Sequence, residues 1–213
     1  MRLFTAVWPP GEALDHLDSW LAALDRPQLD VATARAKGFR FVPRERQHLT
    51  LAFHGDGADP DWYADRLDRR TTRMARKEPA VVAPRLRLRG CGFFRGVLWL
   101  GVECAAEDDA GSLRRLVRLA GDDPQRHRPH ITLGRWSAGA VNKATLRELF
   151  EPYAGPWWTA DELCLVASEQ DGGDRNYRTL HRVPVPQRTD GTAPAPSRSG
   201  DAAPGCGGEW DQP

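Results

Sequence analysis

The chain has 213 residues, 40% of them hydrophobic and 28% charged, which suits one compact domain or two small lobes sharing a core. Lys and Arg number 30 and Asp and Glu 29, for a formal net charge of +1, so no global basic field draws the chain onto nucleic acid. No apolar run approaches the roughly 18 residues of a membrane helix, so no membrane association is expected.

Residues 2–8 (RLFTAVW) read as a strand, broken by Pro9-Pro10-Gly11. This opening has no long apolar stretch behind a charged one, which argues against a secretory leader. A helix follows with Leu14, Leu17, Leu21 and Leu24 on one face. Phe39–Val42 is a short apolar run stopped by Pro43, and His48–Phe53 alternates as a strand into the turn His54-Gly55-Asp56-Gly57. Asp59 or Asp61 can cap a helix bearing Ala64, Leu67, Thr71 and Met74. Residues 81–89 read as a strand in which Arg85, Arg87 and Arg89 form a solvated outer face.

The order then repeats. Val97–Cys104 is a strand, 110–120 a helix and Pro129–Trp136 a strand. Asn142 can cap a helix carrying Leu146, Leu149, Phe150 and Tyr153, and strands follow at 161–168 and Tyr177–Val185. The expected fold is α+β and bilobal. Two antiparallel or mixed sheets flank a central cleft, with helices on their outer faces and a pseudo-twofold relation between the lobes. The lobes span roughly 2–89 and 97–185 of a domain at 1–186, and the last strand can cross between them. From 187 to 213 the chain is rich in Gly, Pro and Ala and is expected to be a disordered tail, with Cys206 and Trp210 inside it. Cys91, Cys104, Cys164 and Cys206 show no CxxC spacing, so neither a zinc site nor a disulfide framework is expected, and a reducing cytoplasm is the expected compartment.

The third element of each half carries the same pattern, His48-Leu49-Thr50-Leu51 and His130-Ile131-Thr132-Leu133. With 6 His in the chain, roughly 0.3 His-x-Thr pairs are expected by chance, and two occur at matching places. Strand side chains alternate, so His48 with Thr50, and His130 with Thr132, share a face. Two imidazoles and two hydroxyls around one cleft suit acid–base opening of a phosphodiester. One histidine takes a proton from water, the other gives one to the leaving oxygen, and the hydroxyls donate to phosphate oxygens. No Asp, Glu or Cys stands at ligand spacing, so neither metal nor cofactor is expected. His127 and His130 form an HxxH interrupted by Pro129, which is also read as non-metal.

The sequence resembles the two-histidine phosphoesterases, in their RNA 2',3'-cyclic phosphodiesterase branch, also called LigT-like or 2'-5' RNA ligase. The resemblance covers most of 2–185. It rests on RLFTAV, FRFVPRERQHLTLAFHGDG, GVLWLGVE, RPHITLGR and VASEQDGGDRNYRTLHRVPV, and above all on the double HxTx motif. It implies a V-shaped cleft and hydrolysis of a terminal 2',3'-cyclic phosphate to a 2'-phosphate. By motif position it implies His48 as proton donor, His130 as proton acceptor, and Thr50 and Thr132 as phosphate ligands. Where the family has Phe-Leu-Gly-Glu after the first motif, this chain has Phe-His-Gly-Asp. His54 falls on the face of His48 by alternation and can line the cleft rim, but it is read first as an exposed turn residue. Gly134-Arg135 replaces the common Ala-Arg.

Arg128 and Arg135 can neutralise RNA phosphates, and Tyr177 can stack a base, as can Phe93, Phe94 and Trp157-Trp158, although aromatics at strand ends more often pack the core. His16 and His181 carry no functional argument. Expected partners are RNA ends or small cyclic nucleotides, met by a monomer. Two other readings stay open: a 2'-5' phosphodiesterase or RNA ligase using the same residues, and a non-catalytic RNA-end binding protein.

Overall fold

A computed structural model describes residues 1–77, 82–171 and 174–187. The segment 188–213, with Cys206 and Trp210, lies outside the described residues, as does Val81, the start of the third predicted strand. Among the described residues no helix is long and apolar enough to cross a membrane.

The first strand, β1 (Arg2–Val7), leads into α1 (Gly11–Ala22) and α2 (Arg26–Thr33). Sequence periodicity missed α2, whose start is nevertheless marked: Asp25 caps it, accepting from the Gln28 amide at 3.0 Å, and Pro27 occupies the first turn. Short strands β2 (Ala36–Lys37) and β3 (Arg40–Phe41) and a 3-10 turn (Arg44–Arg46) precede the first motif strand, β4 (Leu49–Asp56). Asp59, rather than Asp61, caps α3 (Pro60–Lys77), accepting from the amides of Asp61 and Trp62. Then come β5 (Arg85–Phe94), β6 (Val97–Cys104), α4 (Glu107–Ala120), the second motif strand β7 (His130–Arg135), β8 (Ala138–Gly139), α5 (Lys143–Phe150), β9 (Trp158–Thr159), β10 (Glu162–Asp171) and β11 (Asp174–Pro184). Gly121, at a φ of 112° that a side chain would strain, ends α4, and the Asn142 carboxamide caps α5 as expected.

The fold is mixed α+β, as the sequence implied, with one correction to its sheets. Among the described residues nine strands form one curled sheet in the order β11-β10-β1-β4-β7-β6-β5-β9, with β3 also on β7; β2 and β8 form a separate ribbon. The two expected sheets are joined at β4 and β7, by the single residue pair Leu49–Ile131. All pairings are antiparallel.

The halves of the sheet do not follow the halves of the sequence. β5, read with the first lobe, pairs with β6 on the far side of the junction, while both β10 and β11 return to the side of β1. β5 and β6 form a hairpin through Arg95-Gly96, with Gly96 at φ 72°. Local hairpin closure thus holds β5 on the second side, against the repeat of element order. Each motif strand consequently lies at the inner edge of its own half.

The main core lies between the sheet and the helices. α3 packs on β10 and β11, α4 bridges β4 and β6, and α5 covers β5. Leu49, Leu51, Ile131 and Leu133 are fully buried there. A smaller cluster of Phe4, Ala6, Cys164 and Val166, with Trp8 and Tyr177 against it, occupies the opposite, open face of the first half.

Candidate active site

Period-two alternation turns Leu49 and Leu51 into the core and His48 and Thr50 to the open face. It turns Ile131 and Leu133 inward and His130 and Thr132 outward in the same way. At the fourth motif residue both strands depart from regular pairing. Ala6 faces Thr50 and Thr5 faces Ala52, so Leu51 is an extra residue in β4. Trp99 faces Thr132 and Leu98 faces Gly134, so Leu133 is an extra residue in β7. A bulge reverses the alternation beyond it.

The two bulges decide which later residues reach the site. In β7 the reversal buries Gly134 and brings Arg135 to the face of His130. The positive charge of Arg135 contributes to lowering the pKa of both His48 and His130. In β4 the same reversal brings Phe53 to the open face, beside Phe4. His54 goes to the helix side and is half-buried, which corrects both its expected exposure at the turn and the alternative place at the cleft rim. On the helix side its Nε2 is 2.8 Å from the Thr5 hydroxyl and its ring stacks on Tyr63 of α3 at 4.0 Å. His54 is a half-buried packing residue, its pKa lowered to about 4 by burial and the charge of Arg66.

Both motif histidines are oriented by the same device. His48 Nδ1 donates to the Arg46 carbonyl at 2.8 Å, and His130 Nδ1 donates to the Arg128 carbonyl at 2.7 Å. With the proton held on Nδ1, each ring presents Nε2 to the site. The acceptor for His48 is itself fixed. Arg44 ties the 3-10 turn to α1 through Asp15 at 2.6 Å, Asp18 at 2.8 Å and the Gly11 carbonyl at 3.0 Å. His127, the first histidine of the HxxH, is not aimed at a shared ion with His130. Its Nε2 donates to the Thr50 carbonyl at 2.8 Å, pinning the approach to β7 against β4.

Aromatic rings enclose the two imidazoles unequally. Around His48 stand Phe4 at 4.9 Å, Trp8 at 5.1 Å and Tyr177 at 5.3 Å between ring centroids. His130 meets Phe94 at 5.1 Å and Trp99 at 5.8 Å. Burial in this apolar setting lowers the pKa of His48 to about 4, against the opposing pull of its bond to Arg46. His130 is also lowered, again chiefly by burial. Both rings are therefore neutral at pH 7 in the unliganded protein.

Tyr177 and Phe94 thus reach the site, whereas Phe93 joins the core margin and Trp158 is buried. Arg128 contributes its carbonyl, its side chain being exposed. Arg87 and Arg89 lie on the open face but pair with Glu103, at 2.5 and 3.2 Å, and Arg87 also covers the Trp157 ring. His16 bonds Tyr153 and His181 pairs with Asp68. Phe4, Trp8 and Trp99 were missed as site residues. The signal was present for two of them: Phe4-x-Ala6-x-Trp8 places them on one strand face. Trp99 lies across Gly92, where any Cβ would collide with its indole.

A profile of the 2'-5' RNA ligase superfamily matches residues 22–172. The chain belongs to this superfamily. A search of curated proteins finds no match. Among solved structures, TT0787 of Thermus thermophilus shares 28% identity with a TM-score of 0.57, over 88% of this chain and 99% of its own. LigT of Escherichia coli, solved in complex with ATP, shares 26% identity with a TM-score of 0.59, over 87% of this chain and 98% of its own. A structure described as a phosphoesterase shares 25% identity with a TM-score of 0.56, over 87% of this chain and 99% of its own. As a LigT-like two-histidine phosphoesterase, the chain carries both motifs of the resemblance intact.

Proposed function

We propose that the chain hydrolyses the terminal 2',3'-cyclic phosphate of RNA, or of a small nucleotide, to a 2'-phosphate. The observation that carries this reading is the matched pair of bonds from Nδ1 to the carbonyls of Arg46 and Arg128, which leaves two Nε2 atoms for proton transfer. In the proposed step His130 Nε2 removes a proton from water as the water oxygen bonds to phosphorus. The P–O3' bond breaks in line, and His48 Nε2–H protonates the departing 3'-oxygen. Thr50 and Thr132 donate to the non-bridging oxygens, and Arg135 offsets the charge that develops on them. No step calls for a metal ion or cofactor.

An acid must carry its proton before the reaction, and a pKa of about 4 leaves His48 neutral in the empty site. A phosphate anion between the rings favours the imidazolium, so substrate charge and the catalytic proton arrive together. The division of roles follows the resemblance to the family, and the open face agrees with it. In-line attack puts water and the nucleoside on opposite sides of phosphorus, and the open pocket is lined by Trp8 and Tyr177, the rings that stand against His48.

Phosphorus NMR of the full chain with a nucleoside 2',3'-cyclic monophosphate and with a short RNA bearing that end tests the reading, with His130→Ala as control. A 2'-phosphate product absent in the control is the expected result. A 3'-phosphate would reverse the leaving group. Turnover only of 2'-5' linkages, or their formation from a 5'-hydroxyl end, would assign the same histidines to 2'-5' chemistry.

A further inference from the structure

A pocket of about 430 Å3 opens beside His48, and Trp8 and Tyr177 belong to both. Its remaining wall mixes apolar residues, Pro9, Pro10 and Ala160 among them, with the charged Glu45, Asp161 and Arg182. On the corresponding face of the second half, Trp99 lies across Gly92 and fills the space beside His130. The pseudo-twofold relation is therefore broken at one side of the site.

Charge decides what such a pocket accepts. Among the described residues Arg182 is the only cation in its wall, and Arg182 is bonded to Glu162. Glu45 and Asp161 remain as exposed carboxylates, the latter accepting from the Gln187 carboxamide at 3.2 Å. An RNA phosphate is repelled by this balance. A flat ring with hydrogen-bond donors on its edge is favoured, since a carboxylate only accepts and aromatic walls stack any base. Of the four bases, guanine alone presents an imino and an amino donor side by side, matching the two oxygens of one carboxylate. The pocket volume lies in the range that takes small ligands.

We infer that this pocket binds the nucleobase of the terminal nucleotide and prefers guanine, with Glu45 and Asp161 reading its donor edge between the walls of Trp8 and Tyr177. The inference rests on the proposed cleavage for its placement: the ribose carrying the leaving oxygen must lie on the side of His48, so its base enters this pocket. Trp8 is held by packing against the buried cluster of Phe4, Ala6, Cys164 and Val166.

The test compares kcat/KM for the four nucleoside 2',3'-cyclic monophosphates in the wild type and in the double variant Glu45→Gln, Asp161→Asn. Calorimetric binding of guanosine and uridine 2'-monophosphates is measured alongside. The expected wild-type preference for guanosine is about tenfold, the usual weight of one hydrogen bond to a charged group, and the double variant brings the guanosine-to-uridine ratio close to one. Equal rates for all four bases, or a preference unchanged in the variant, overturns the inference and leaves the hydrolytic reading intact. If no nucleotide turns over, the hydrolytic reading falls and binding decides the pocket. Tighter guanosine 2'-monophosphate binding that the variant abolishes upholds it, and equal or absent binding overturns it.

Discussion

Leu49 of β4 and Ile131 of β7 face each other as the one residue pair joining the two halves of the sheet. Both are fully buried, and each is flanked by the His and Thr of its own motif. Antiparallel pairing through them carries His48 towards Thr132 and Thr50 towards His130. The buried aliphatics of the two motifs are thus the hinge that sets the distance between the polar groups. Leu49→Ala and Ile131→Ala are each expected to cost about 2–5 kcal/mol of stability, the range for truncating a buried aliphatic side chain. Urea unfolding checks this, and a loss below about 1 kcal/mol would mean that the junction is not packed as described.

His48→Ala and His130→Ala are each expected to lower kcat by roughly two to four orders of magnitude, with KM changed far less. Steady-state hydrolysis of a cyclic nucleotide measures both constants. Near-normal turnover by either variant removes that residue from the mechanism. The wild-type rate is expected to persist in EDTA, since no proposed step uses a metal ion.

Anion binding is expected to take up protons. The pKa of His48 is lowered to about 4 and that of His130 is also lowered, and negative charge between the rings raises both. Sulfate keeps its charge over the relevant range, so its affinity should rise as pH falls from about 7.5 towards 5. Calorimetry in buffers of different ionisation enthalpy reads the proton uptake directly. An affinity independent of pH would place the anion away from the two rings.

The same lowered pKa values set the sign of the dependence of stability on pH. His48 and His54 titrate near 4 in the folded chain, against 6.5 for an unperturbed histidine. Between these values the unfolded chain binds more protons, so their contribution is whole above about pH 6.5 and is lost as pH falls towards 4. The urea midpoint should therefore drop between about pH 7 and 5, and His54→Gln should flatten that slope while sparing the motif histidines. An unchanged slope in this variant would show that His54 is not buried as described.

Gly92→Ala should disturb the site from a distance. The added methyl collides with the Trp99 indole, which packs against His130. Cyclic nucleotide turnover should fall at least about tenfold while the chain stays folded by circular dichroism, the displaced ring giving His130 more than one orientation. Full activity would separate Trp99 from the placement of His130.

Much of this was legible because it depends on near neighbours in sequence. The spacing in His48-Leu49-Thr50 and His130-Ile131-Thr132 is the strand period itself, and Asn142 and Asp59 act on amides within three residues. His54 was misplaced because a bulge is an event of pairing. Nothing within β4 marks Leu51, or His54 itself, as an extra residue; the partner strand β1 does. The division into halves at 89 and 97 failed for a similar reason, since the repeat of element order cannot say which edge a strand joins.

The sequence alone determined the chemistry available, two imidazoles and two hydroxyls on aliphatic-backed strands, because alternation is a property of each strand by itself. Only the tertiary structure decided that Arg135 rather than His54 shares their face, that three rings depress His48, and that a pocket opens beside His48. Those outcomes depend on bulges, strand order and burial, which arise when segments distant in sequence pack together and change the solvation of the groups between them.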